Sequence, residues 1–150
     1  MELPLTRLAA SYTNTSSDRD DLVQEIAIAI WQALPRFRGE CSERTFLFRI
    51  AHNRAISHVA RNRHPAADES LDMPDPAPDP ETELAMEQRA EALRRAISRL
   101  PLGYRQVITL SLEGLGYEEI AEILGISEGN VGARLTRARQ ILRESLEKRR

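Results

Sequence analysis

Five of the chain's eight prolines fall in one short stretch, at Pro65, Pro74, Pro76, Pro78 and Pro80. Proline has no backbone N–H and pushes the residue before it out of the helical region. The segment ADESLDMPDPAPDPE therefore reads as neither helix nor central strand. Its carboxylates repel one another and favour an extended connector. Any fold must be built from what lies on either side. The expected organisation is a domain over residues 1–64, a flexible acidic linker over 65–80 and a second domain over 81–150.

The charge divides at the same place. The formal net charge is −2, but residues 1–64 carry +2, residues 65–92 carry −8 and residues 93–150 carry +4. Two weakly basic modules thus flank an acidic connector. Nonspecific DNA affinity grows with the number of phosphates neutralised, so this chain should bind free DNA poorly and need a partner to hold it there. Hydrophobic residues reach 41% with only 5% aromatic, and Leu, Ile and Ala dominate, which favours helices around modest cores. No apolar run approaches the roughly 20 residues of a membrane span. The first residues, MELPLTRLAASY, lack the pattern of a signal peptide. One cysteine, Cys41, rules out an internal disulfide and fits a reducing compartment, so the cytoplasm is the expected location.

Tyr117–Arg139, YEEIAEILGISEGNVGARLTRAR, is the most informative segment. Ile120, Ile123, Leu124, Ile126, Val131 and Leu135 have the spacing of two short helices closing on one core. Gly125 sits at the bend, where a left-handed backbone costs least. Ser127 is the expected N-cap of the second helix. Arg134, Arg137, Arg139 and Arg143 lie along that helix. Arginine matches phosphate oxygens and the guanine edge in a bidentate way, so the pattern predicts a helix-turn-helix with a DNA-facing second helix.

The remaining sequence is helical as well. Expected helices cover Pro4–Ser11, Arg19–Leu34, Glu43–Arg61, Thr82–Leu100 and Tyr104–Leu112, and no segment alternates like a strand. In the second, Leu22, Ile26 and Ile30 form the inner stripe, with Trp31 beside it. In the third, Phe46, Leu47, Ile50, Ala51 and Val59 should face inward. Arg54, His58 and Arg61 should share an outer face, with Arg63 beyond them. The fold class is all-α, two small helical domains joined by a Pro/Asp-rich linker, the second a helix-turn-helix. His52, His58 and His64 recur every six residues, which scatters them around a helix. Metal ligands on one helix prefer i, i+4 spacing, so no metal is expected, and no cofactor. No clustered carboxylates or nucleophile–base pair suggests an enzyme.

Three motifs in series resemble the extracytoplasmic-function (ECF) sigma factors of bacterial RNA polymerase. They are DDLVQEI (20–26) followed by Trp31, FRGECSERTFLFRIAHNR (37–54), and the long segment from Leu100 to Arg139. The resemblance covers nearly the whole chain. It implies a promoter-specificity subunit without catalytic activity. Its partners would be core RNA polymerase (the β′ clamp helices and the β subunit), promoter DNA and an anti-sigma factor, with no membrane.

On that resemblance, Asp20, Asp21, Gln24 and Glu25 dock on core polymerase. Asp18 and Asp20 are explained equally well as acids at a helix N-terminus. Phe37, Ser42, Thr45, Phe46 and Asn53 would form the −10 pocket for an unpaired base, which needs an apolar wall with amide or hydroxyl groups. Ordinary core packing remains an alternative for the two phenylalanines. The family usually has tryptophan at position 46; Phe46 keeps the aromatic surface without the indole donor. Arg54, His58 and Arg61 would follow the DNA backbone upstream. In the second domain, Tyr117, Glu118, Asn130, Arg134, Thr136, Arg137 and Arg139 would face the −35 element, with Arg137 the expected base reader.

The chain departs from the family pattern in the recognition helix, where Gly132 and Ala133 replace a basic residue and a hydroxyl. A different or looser −35 preference is expected, with Asn130 taking over a polar contact. The family's first helix is also longer than the one offered here. The competing reading is a stand-alone helix-turn-helix regulator binding a palindromic operator as a dimer.

Overall fold

The computed structural model describes residues 4–62 and 82–148, the side chains of 82–84 excepted; the expected linker, Arg63 and His64 lie outside these. Seven α-helices and no strand occur among the described residues. They are α1 (Pro4–Ser11), α2 (Ser16–Ala33), α3 (Glu43–Arg61), α4 (Thr82–Ser98), α5 (Leu102–Leu112), α6 (Tyr117–Leu124) and α7 (Glu128–Glu147), with a 3₁₀ turn at Leu34–Arg36.

Local chemistry explains the boundaries. The cap of α2 is Thr15, whose hydroxyl accepts the Asp18 N–H at 3.1 Å, so the helix starts before the aspartates expected to open it. Pro35 lies in the 3₁₀ turn that ends it. Ser42 caps α3 by accepting the Thr45 N–H at 3.1 Å, and its own hydroxyl donates to Thr45 Oγ1 at 2.9 Å. At the second pair of helices, the Gly116 N–H donates to Glu119 Oε1, tying the first turn of α6 back on itself. Gly125 adopts φ +70°, and the N–H groups of Gly125 and Ile126 both bond to the Ala121 carbonyl. That left-handed residue turns the chain between the helices. Ser127 Oγ then accepts the Asn130 N–H at 3.1 Å and starts α7.

In the front half α2 packs against α3, and α1 lies across both. In the back half α5 and α6 pack on α7, and α4 closes its far side. Buried Leu22, Ile26, Phe48, Ala51 and Ala55 fill the first core. Buried Leu110, Ile120, Val131, Leu135, Ala138 and Leu142 fill the second. Phe48, not Phe46, is the phenylalanine buried in the front core.

The halves also touch directly. Leu8, Ala9 and Tyr12, in and just after α1, belong to the same apolar cluster as Ala96, Ile97, Leu100 and Val107. The Arg105 guanidinium lies 5.7 Å from the Tyr12 ring centre, a cation–π contact. Arg7 reaches across to Glu113 with two hydrogen bonds, at 2.7 and 2.8 Å. Arg44 donates to the Glu113 carbonyl, and Arg49 pairs with Glu122 at 3.6 Å. Three arginines of the front half therefore hold the α5–α6 corner of the back half.

Candidate nucleic-acid interface

Helix α7 buries Val131, Leu135, Ala138 and Leu142 on one side. Helical geometry puts Gly129, Ala133, Thr136, Arg137 and Gln140 on the opposite side, and all five are exposed. Asn130 and Glu118 are exposed as well. Arg137, Arg139 and Arg143 make no ion pair or hydrogen bond among the described residues, so their charge faces solvent. Arg134 differs. It is half-buried, and its guanidinium lies along the first turn of α5, 3.5 Å from where a Cβ on Gly103 would stand. It borders the basic face rather than standing at its centre.

Tyr117, at the first position of α6, is 46% exposed and lies against α7 at Gly132. The substitution of a basic residue by glycine, which sequence alone reads as a lost contact, therefore has a steric partner. Thr136 Oγ1 donates to the Gly132 carbonyl at 3.0 Å.

The front half presents a different surface. On α2, Asp20, Asp21 and Gln24 are exposed, and Ile28 and Trp31 continue the same stripe. Trp31 is 76% exposed, which corrects its expected place beside the core. Ile28, Trp31 and Leu34 are exposed apolar residues that periodicity did not single out as a surface. A shallow groove lies beside them, lined by Trp31, Pro35, Arg36 and Arg54.

Other expected contacts are engaged inside the protein. His58 is buried, at 5% exposure, and not on the outer face expected for it. Its Nε2 lies 2.7 Å from Asp18 Oδ1, and its Nδ1 lies 3.1 Å from Glu25 Oε2. Arg61 donates to Glu25 Oε1 at 2.5 Å. The Arg61 hydrogen bond, helped by His58, outweighs the effect of burial and holds the Glu25 carboxyl below its ordinary pKa. Glu25, His58 and Arg61 thus pin α2 to α3. Thr45 is buried under its cap with Ser42, so its side chain is not offered to a base. His52 is also buried, and burial lowers its pKa to about 4. Among the described residues no cluster of His, Cys, Asp and Glu could hold a metal ion.

What remains for a base pocket is apolar wall and amide. The Phe37 and Phe46 rings are half-buried and tilted against each other with centres 4.7 Å apart. Asn53 and Arg54 stand exposed on α3.

Comparisons with known proteins decide the family. Residues 3–64 match the model of sigma-70 region 2, and residues 90–142 match that of sigma-70 region 4. The chain is 37% identical over 139 residues to the ECF RNA polymerase sigma-E factor of Escherichia coli K12, covering 85% of this chain and 73% of that protein. The chain belongs to the ECF sigma factors of RNA polymerase. The RNA polymerase sigma-H factor of Pseudomonas aeruginosa is 32% identical over 152 residues, covering 93% and 79%. Among solved structures, CnrH in complex with the cytosolic domain of CnrY matches with a TM-score of 0.69 at 29% identity, over 97% of this chain and 81% of that one. The fold also matches that of the sigma factor RpoE of Bartonella quintana, solved with the anti-sigma factor NepR, with a TM-score of 0.68 at 24% identity. As an ECF sigma factor the protein is not an enzyme. It binds core RNA polymerase and promoter DNA and directs promoter-specific initiation. No helix among the described residues is long and apolar enough to cross a membrane.

Proposed function

We propose that the two halves divide the work of initiation. The front half, residues 1–64, grips core polymerase through the exposed stripe of Asp20, Asp21, Gln24, Ile28 and Trp31. The charged end fixes orientation, and the apolar end supplies desolvated contact area. The Phe37–Phe46 pair with Asn53 and Arg54 receives the opened −10 element. Ser42 and Thr45 act there by holding the loop, and His58, Arg61 and Glu25 by holding the helices. Helix α7 reads the −35 element as duplex through Arg137, flanked by Arg139, Thr136 and Asn130. Tyr117 and Glu118 border that surface, and Arg134 supports it from the side. The observation that carries this reading is the exposed arginine face of α7, unpaired among the described residues, opposite a fully packed one. The location that goes with it is the cytoplasm. A protein that covers these surfaces, as the anti-sigma factor NepR accompanies RpoE, completes the proposed set of partners.

Elements about 25 base pairs apart are separated by roughly 85 Å along B-form DNA at about 3.4 Å per pair. A compact domain of this length has a radius of gyration of about 15 Å. The packed arrangement therefore does not span both elements, and the contacts of Arg7, Arg44 and Arg49 with the back half must part on the polymerase.

Run-off transcription tests the proposal. Purified protein added to core polymerase should direct initiation from a subset of a genomic promoter library and bind free DNA weakly. Tight binding to a palindromic site without polymerase would favour the stand-alone regulator instead. Failure both to bind core and to direct initiation would overturn the division of work.

A further inference from the structure

The side chains around Gly132 constrain what α7 can read. A Cβ built on Gly132 would lie 3.2 Å from Tyr117 Cε2 and 3.8 Å from Cδ2. The shorter distance is tighter than an ordinary carbon contact, so the ring occupies the room that a side chain at 132 would take. One turn on, the Thr136 hydroxyl donates its one proton to the Gly132 carbonyl at 3.0 Å. A carbonyl cannot donate in return. Towards solvent, then, Thr136 offers lone pairs and a methyl group but no donor. Ala133, beside it on the exposed face, offers no polar atom at all.

The consequence for base reading is chemical. In the major groove guanine shows two acceptors, N7 and O6. Adenine and cytosine show exocyclic amines, N6 and N4, that donate. A hydroxyl whose proton is engaged pairs with an amine and meets guanine O6 lone pair to lone pair. The half-exposed Tyr117 ring covers the flank of α7 at Gly132, one turn before Thr136.

We propose that Thr136 and Tyr117, assembled around Gly132, form a specificity patch that prefers a base presenting an exocyclic amine, adenine or cytosine, and disfavours guanine at one position of the −35 element. This rests on α7 being the −35 reader. It adds that the glycine narrows the preference at that base pair, where sequence alone suggests that it loosens it.

The test is initiation by the full-length protein with core polymerase on a library randomised across the −35 element. The wild-type profile should contain one position where adenine or cytosine is favoured over guanine. Thr136→Val keeps the shape and the methyl group but removes the acceptor. It should lower initiation from the preferred base about three- to tenfold, the value of one hydrogen bond, and flatten that position alone. Thr136→Ser should retain the preference. Gly132→Ala ought to help a helix interior. Here it should instead displace Tyr117 and lower −35-dependent initiation several-fold. In the Tyr117→Ala background the same change should cost nothing further. Circular dichroism of each variant separates misfolding from lost reading. An unchanged base profile in Thr136→Val, or Gly132→Ala acting equally with and without Tyr117, would overturn the patch. Arg137→Ala distinguishes this from failure of the parent reading. If Arg137→Ala abolishes −35 dependence while the Thr136 and Gly132 variants change nothing, the patch alone is wrong. If Arg137→Ala also changes nothing, α7 is not the reader.

Discussion

In the front half, Glu25, His58 and Arg61 close on one another between α2 and α3, and Ser42 and Thr45 close the loop before α3. On α7 in the back half, Arg137, Arg139 and Arg143 stand in solvent with no internal partner among the described residues. Both regions read in the sequence as polar faces on amphipathic helices. The difference lies in whether a second helix stands opposite. Helix α3 has α2 beside it, with carboxylates at the matching height. Helix α7 has α4, α5 and α6 packed against it, and among the described residues no partner engages Arg137, Arg139 or Arg143. A polar face shared between helices becomes structure, and one left alone stays open to solvent and to a partner.

The largest test of this contrast sets a buried residue of α7 against an exposed one of α2. Leu135 is fully buried. Leu135→Ala should destabilise the protein by about 2–5 kcal/mol in chemical denaturation, through lost burial and the cavity left behind. Trp31→Ala removes a larger side chain, yet should change stability by less than about 0.5 kcal/mol because it strips no core contact. Its effect should appear in a core-polymerase binding assay.

His52 sharpens the comparison through pH. Its imidazole takes up a proton near 6.5 when unfolded and only near 4 in the folded protein. Between those values the unfolded state binds more protons, so stability falls as pH falls from 6.5 towards 4. The loss should be on the order of 2–3 kcal/mol at the acid end. Urea titrations across that range should show the slope, and His52→Gln should flatten it.

Arg137→Ala should leave unfolding unchanged and weaken −35-dependent initiation by about 1–3 kcal/mol. Glu25→Gln is the mildest test of the link between α2 and α3. It weakens the link to Arg61 and His58 and should cost about 1 kcal/mol of stability. Core binding should be little changed, because the carboxylate is engaged by His58 and Arg61 of α3.

Much of the fold was legible from sequence because its signals are local. The limits of α3, the left-handed Gly125 and the Ser127 cap all follow from residues within a turn of one another. The misplacements arise where local pattern leaves a choice open. Arg54, His58 and Arg61 do recur at helical spacing, but spacing does not say which of them meets a neighbouring helix. Asp18 and Glu25 on α2 decide that for His58. Phe46, Leu47 and Phe48 form a continuous apolar run, and only the packing of α2 on α3 selects Phe48 for the core. Trp31 is bulky and apolar, which favours burial, yet it lies on the stripe of Asp21 and Gln24. Contacts of α1 with α4 and α5, and of Arg7 with Glu113, join residues about a hundred positions apart, and no periodicity reports them. At the candidate site, the arginine face of α7 was legible. The role of Gly132 was not, because its partner Tyr117 comes from the preceding helix.

The most direct measurement compares Arg137→Ala and Trp31→Ala in run-off transcription on two templates, identical except that one has a scrambled −35 element. Arg137→Ala should lose initiation on the intact template only, with normal affinity for core, while Trp31→Ala should lose it on both as core affinity drops. If both variants show the same defect on both templates, the surfaces of the two halves do not have separate tasks.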